Sequence, residues 1–154
     1  MKRTIRIILG MLVAGLVVAQ FFQPDRNLGE IDRGVDLVNS TIVPEEVALL
    51  LKSSCYDCHS NHTKYPWYSK ISPVSWFLED HIREGKEALN FSQWASLEKN
   101  EKIGKLADIC DEIDSGSMPL KSYLLIHGDA KLTLAELESL CVWTEEEGLR
   151  LLRE

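Results

Sequence analysis

"CYDCHSNH", residues 55–62, gathers two of the four cysteines and two of the four histidines of a 154-residue chain into eight positions. Its first five residues have the spacing C-x-x-C-H, the attachment signature of a c-type haem. Two thiols must reach the two vinyl groups on one edge of a porphyrin, and a two-residue gap lets the backbone turn and present both. The histidine beside the second cysteine is then carried beneath the ring, where its imidazole binds iron. This reading gives Cys55 and Cys58 to covalent attachment and His59 to the proximal iron position.

Three other chemistries compete for the same residues. Cys55, Cys58, His59 and His62 offer four donors of the types zinc prefers, yet structural zinc sites usually draw their ligand pairs from separated knuckles. A thiol–disulfide oxidoreductase also uses C-x-x-C, but there the motif opens a helix after a strand within a βαβ pattern, which this chain lacks. The plainest reading is a structural disulfide.

Outward from the motif the pattern is helical. Pro44 at a first-turn position, with Glu45 and Glu46 behind it, opens "PEEVALLLKSSC", a helix that delivers Cys55 at its end. Ser72 and Pro73 start a second helix whose Val74, Phe77, Leu78, His81 and Ile82 share a face, with Gly85 weakening its C-terminal half. Ile103, Leu106, Ile109, Cys110 and Ile113 recur at three- and four-residue spacing in a third, which stops at Gly116. Thr133 and Glu136 form a capping box for the last helix, which runs through Leu137, Leu140, Cys141 and Trp143. No segment alternates as a strand would, and no repeat is present. The expected fold is all-α, a small cytochrome c-like domain of about four helices and loops over residues 41–154.

The N-terminal "MKRTIRIILGMLVAGLVVAQFF" places Lys2, Arg3 and Arg6 before an apolar run from Ile7 to Ala19. Residues 1–22 are expected to be a membrane anchor, a transmembrane helix whose basic flank stays cytoplasmic. The competing reading is a cleaved secretory signal. Polar "QPDRNLGEIDRGVDLVNS", with Pro24, Gly29 and Gly34, reads as a linker over 23–40. The expected location is a bacterial inner membrane, with the domain facing the periplasm. Without the three N-terminal cations, 14 basic residues face 24 acidic ones, which argues against nucleic-acid binding and suits a basic protein partner.

A haem iron held by one histidine needs its other face assigned. Met118 is the only methionine beyond the N-terminal segment, and it sits in "DSGSMPL", between a helix stop and a proline, on a loop instead of a core-filling helix face. A thioether is a soft, neutral donor that raises the reduction potential, so Met118 opposite His59 implies one-electron transfer. His127 in "LLIHGDA" is the rival sixth ligand. His62 follows His59 too closely to reach the far face, and His81 on its apolar helix face suits a hydrogen-bonded core histidine. Tyr65, Trp67, Tyr68, Trp76 and Phe77 are candidates for core packing or for walls of a dry cofactor pocket. Cys110 and Cys141 lie on apolar helix faces, as a disulfide or as buried thiols.

The stretch "CYDCHSNHTKYPWYSKISPVSWFLEDHIREGKEALNFSQW", followed by "MPLKSYLLIHGDAKLT", resembles the small haem-binding domain proteins of bacterial envelopes, relatives of cytochrome c. The similarity runs from about Gln20 to Trp143. It implies haem attachment at Cys55, Cys58 and His59, and a domain tethered outside the cytoplasm. The combined expectation is a membrane-tethered monohaem c-type cytochrome with covalent haem c, exchanging electrons with redox protein partners as a carrier and not as an enzyme. The alternative is a haem peroxidase or a gas or redox sensor with a displaceable sixth ligand.

Overall fold

The computed structural model describes residues 1–154. Eight α-helices and three short 3₁₀ segments follow one another without a strand; the one β-bridge joins Leu28 to His62. The α-helices are α1 (Lys2–Ala19), α2 (Leu37–Ser40), α3 (Glu45–Ser54), α4 (Tyr56–His59), α5 (Val74–Ala88), α6 (Lys99–Asp114), α7 (Lys121–Leu124) and α8 (Leu134–Arg153).

The expected all-α class is present, but the expected transmembrane helix is not: no helix is long and apolar enough to cross a membrane. Lys2, Arg3 and Arg6 fall inside the 18 residues of α1 instead of ahead of it. The uncharged run that remains spans only about 20 Å at helical rise, against a hydrocarbon core of about 30 Å. The inner-membrane location with a periplasm-facing domain, which rested on that anchor, is corrected with it. None of the residues of α1 is buried. Its C-terminal end is tied to the start of α5 by a reciprocal pair: Gln20 Nε2 donates to the Ser72 carbonyl and Gln20 Oε1 accepts from the Ser72 amide, both at 3.0 Å.

The core forms where α6 and α8 pack along each other and α3 packs on α8. Leu106, Ile109 and Ile113 on α6 face Leu140, Trp143 and Leu151 on α8, at the spacings that bring residues onto one side of a helix. Val47 and Leu51 of α3 close the cluster with Leu37, Tyr56, Phe91 and Trp94. Both buried tryptophans find partners for their N–H: Trp94 donates to Thr41 Oγ1 at 3.2 Å and Trp143 to the Ile42 carbonyl at 3.1 Å. Asp36 is buried too, held by the Tyr56 hydroxyl and by Asn39. Asn27, also buried, donates to the Ser60 carbonyl and to Thr63 Oγ1, so part of the 23–40 stretch packs on the helices.

Two sequence signals fix the ends of the helices around this core. Thr133 and Glu136 form the capping box of α8. Gly116, at φ +70°, ends α6 in the left-handed region that suits glycine, and the amides of Ser117 and Met118 both return to the Glu112 carbonyl at 3.0 and 2.9 Å.

A disulfide joins Cys110 of α6 to Cys141 of α8, closing a loop of 31 residues in sequence separation. In the chain-entropy account, a loop of that length restrains the unfolded state by about 3–4 kcal/mol. Urea unfolding with and without a thiol-free reductant should show a loss of that order, read from the midpoint at constant slope.

Candidate functional site

Residues 55–59 form one helical turn. The amides of Cys58 and His59 both donate to the Cys55 carbonyl, at 3.2 and 3.0 Å. The two intervening residues anchor it. Tyr56 points into the core, stacks on Phe91 with centroids 5.0 Å apart, and donates to Asp36. Asp57 takes the Lys64 amide on Oδ1 at 3.1 Å and the Tyr123 hydroxyl on Oδ2 at 3.0 Å. With those two committed, Cys55, Cys58 and His59 are left to the remaining side, where the cavities lie.

Helix α5 lies against this turn at Gly85, where a Cβ would stand 3.0 Å from the Cys58 carbonyl oxygen and 3.3 Å from Cys58 Cβ. Just past its end, the Leu89 carbonyl lies 3.0 Å from His59 Nδ1. A carbonyl only accepts, so Nδ1 carries the proton and Nε2 keeps a free lone pair. Burial holds the imidazole below the ordinary histidine range, and it is therefore neutral near pH 7. A neutral imidazole with one oriented lone pair is the form that binds a metal.

Two adjoining cavities of about 270 and 350 Å³ share Cys55, His59, Ala88, Met118 and Pro119 among their walls. The first adds Cys58, His81 and Tyr123. The second adds Leu89, Phe91, Ile109 and Ile113, with Lys105 and the exposed Asp108 and Glu112 as its charged wall. A larger hollow of about 700 Å³ lies elsewhere, but it is walled mostly by charged and polar residues, among them Arg26, Glu79, Asp80, Arg83, Lys86 and Glu87. The smaller pair has apolar walls with a few polar groups converging on them, the usual make-up of a cofactor site.

The structure thus brings Cys55, Cys58, His59 and Met118 around one site, Met118 placed by the Gly116 turn. It takes His127 away from it: Nε2 lies 2.5 Å from the Tyr68 hydroxyl, and the ring stacks on Tyr123 at 4.2 Å. His62 is exposed beside the Gly29 carbonyl. His81 borders the first cavity instead of filling core, with Nδ1 2.8 Å from the Phe77 carbonyl. The aromatic cluster after the motif does not wall the cavities; Trp67, Trp76 and Phe77 are exposed, and Phe91 and Tyr123 take that place. Sequence periodicity does place Ile109 and Ile113 on the inner face of α6, but nothing local marks Tyr123, whose role comes from its bond to Asp57 across 66 positions.

The rival chemistries find no support. No group of three or more His, Cys, Asp or Glu residues is placed to hold a metal ion, so the four-ligand zinc reading has no site. Cys55 and Cys58 are free, not a structural disulfide. Burial, with each thiol's neighbour adding to it, pushes Cys55 up to about 12 and Cys58 up to about 11. That is opposite to the depressed values of reactive C-x-x-C thiols.

Residues 14–146 match the family described as the haem-binding domain. Neither a curated protein nor a solved structure matches the chain.

Gly85→Val forces a branched side chain against the Cys58 backbone. The expected result is a loss of about 1–3 kcal/mol in denaturant unfolding, the range for overpacking, together with a lower yield of haem-loaded protein, since α5 also carries the Leu89 carbonyl into place.

Proposed function

The chain belongs to the haem-binding domain family, and from that premise we propose that it is a monohaem c-type cytochrome that passes single electrons between redox partners. Haem is the cofactor of the family; covalent attachment and electron transfer are the steps added here. The observation that supports them most is the convergence of Cys55, Cys58, the neutral His59 and Met118 on the same pair of apolar cavities.

Bound haem supplies an iron that alternates between Fe(II) and Fe(III). Cys55 and Cys58 would hold it through thioether bonds, and His59 would present Nε2 to the metal. The Leu89 carbonyl fixes the tautomer and ring orientation of that histidine, an outer contact of the kind that tunes a metal ligand. Met118 would contribute an uncharged sulfur, a donor that favours Fe(II). Phe91, Ile109 and Ile113 would give the group apolar contact in the second cavity, whose charged wall is Lys105, Asp108 and Glu112. Beyond the motif, the first cavity carries His81, Glu84 and Tyr123 among its polar side chains, and in this reading the residues around the cavities hold and tune the group.

One observation favours the second reading, a peroxidase or a gas or redox sensor. His81 stands at the cavity wall with Nδ1 engaged by the Phe77 carbonyl, which leaves Nε2 free to contact a small ligand.

Expression with haem-maturation factors should give protein that keeps its haem stain through a denaturing gel. Replacing both Cys55 and Cys58 by Ala should abolish the stain, and a colourless wild type would refute the proposal. Met118→Ala should lower the midpoint potential by a sizeable fraction of the roughly 0.8 V that axial ligands span. An unchanged midpoint would remove Met118 from the iron, and rapid carbon monoxide binding by reduced wild type would favour the second reading.

A further inference from the structure

Between the buried Ile113 and the buried Ala130 no residue is buried, yet Met118, Pro119, Leu120 and Tyr123 from this stretch form one wall of the first cavity. Met118 reaches the edge of the core, and the Gly116 turn fixes its backbone from one side. Beyond it the chain has little apolar hold. None of the residues of α7 is buried, and Leu125 and Ile126 after it are exposed.

Only two hydrogen bonds leave residues 119–129 for distant parts of the chain: Tyr123 donates its hydroxyl to Asp57 Oδ2 at 3.0 Å, and the Tyr68 hydroxyl lies 2.5 Å from His127 Nε2. They end in different places. Tyr68 stands outside the walls of both cavities, whereas Asp57 lies inside the C-x-x-C-H turn, two positions before His59.

Both ends of the bond to Asp57 are held. Asp57 Oδ1 accepts the Lys64 amide at 3.1 Å, and the Asp57 carbonyl accepts the Thr63 hydroxyl at 2.6 Å. The Tyr123 ring is stacked on His127, with centroids 4.2 Å apart and planes 11° from parallel. A hydrogen bond to a charged group is among the stronger ones, and its loss shifts an equilibrium by about ten- to a hundredfold.

We propose that Tyr123 is a positioning residue that keeps the sixth position closed: by tying the Met118 segment to the C-x-x-C-H turn, it holds the thioether at the cavity that His59 borders. The proposal rests on the haem-carrier function with Met118 as ligand. Without the tie, the wall formed by residues 118–123 is free to swing on the Gly116 turn. His81 borders the same cavity, so a small neutral ligand that replaced the thioether on iron would meet it there. The Asp57 bond thus selects the carrier over the small-ligand binder.

The test compares full-length, haem-loaded variants. Tyr123→Phe keeps the ring and removes only the hydroxyl. It should retain the haem stain, bind carbon monoxide in the reduced state about tenfold faster than wild type, and move the midpoint toward that of Met118→Ala. Amide exchange at Ile126 and His127, whose N–H groups return to the Tyr123 carbonyl, should speed by a similar factor. Asp57→Ala, which removes the acceptor and leaves the phenol, should reproduce these changes, and either variant decides the matter should the other fail to accumulate. Tyr65→Phe deletes a half-buried hydroxyl bonded to the Asn27 amide and to Glu79, away from both cavities, and should lower stability while leaving carbon monoxide binding and midpoint as in wild type. Added to Met118→Ala, Tyr123→Phe should change neither rate nor midpoint further, because both act through one ligand. A wild-type rate and midpoint in Tyr123→Phe, an equal acceleration by Tyr65→Phe, or an undiminished effect in the Met118→Ala background would overturn the inference and leave the haem function standing. An unmoved midpoint in Met118→Ala alone would overturn the inference together with the assignment of Met118.

Discussion

Helix α5 reaches the C-x-x-C-H turn only because residue 85 has no side chain. At 3.0 Å from where a Cβ would sit, the Cys58 carbonyl leaves no room for one without a shift of backbone. That approach determines the rest of the site. It brings the end of α5 to His59, so that the Leu89 carbonyl fixes one imidazole proton and leaves the opposite nitrogen free, and it puts His81 and Ala88 on the cavity wall. A helix set back by the width of a methyl group would lose the contact that orients the His59 imidazole.

The second wall is set from a different part of the chain. Helix α6, held to α8 by apolar packing and by a covalent bond, ends at Gly116, and the left-handed turn there delivers Met118 two residues later. The site is thus a junction between two rigid units: α4 with α5 on one side, and α6 with its exit turn on the other. Tyr123 joins the two, since it follows Met118 in the chain and its hydroxyl is bonded to Asp57.

Much of this is legible in the sequence because it is local. C-x-x-C-H, the Thr133 and Glu136 box, the Gly116 stop and the three- and four-residue spacings of α6 all depend on neighbours within a turn or two, and each appears where the sequence puts it. The N-terminal helix departs from expectation for a quantitative reason: hydropathy alone suggests a span, but three cations lie within its 18 residues and shorten the apolar length below a bilayer. Gly85 looks, from its neighbours in sequence, like a weak point in a helix, whereas its meaning lies in a contact with a segment 27 positions away. The aromatic run after the motif illustrates the same limit. Its composition suits a pocket wall, but the short 3₁₀ segment Trp67–Lys70 turns Trp67 outward and commits Tyr68 to His127.

The two cysteine pairs stand in opposite states in the folded chain. Attack on a disulfide or an oxidant needs the ionised sulfur. Burial pushes the Cys55 and Cys58 thiols well above the ordinary cysteine range, so in the folded chain neither sulfur ionises readily at neutral pH. Cys110 and Cys141, brought face to face by α6 and α8, are already joined. One pair is thus committed to the crosslink between α6 and α8, while the other keeps both sulfurs free at the cavity walls.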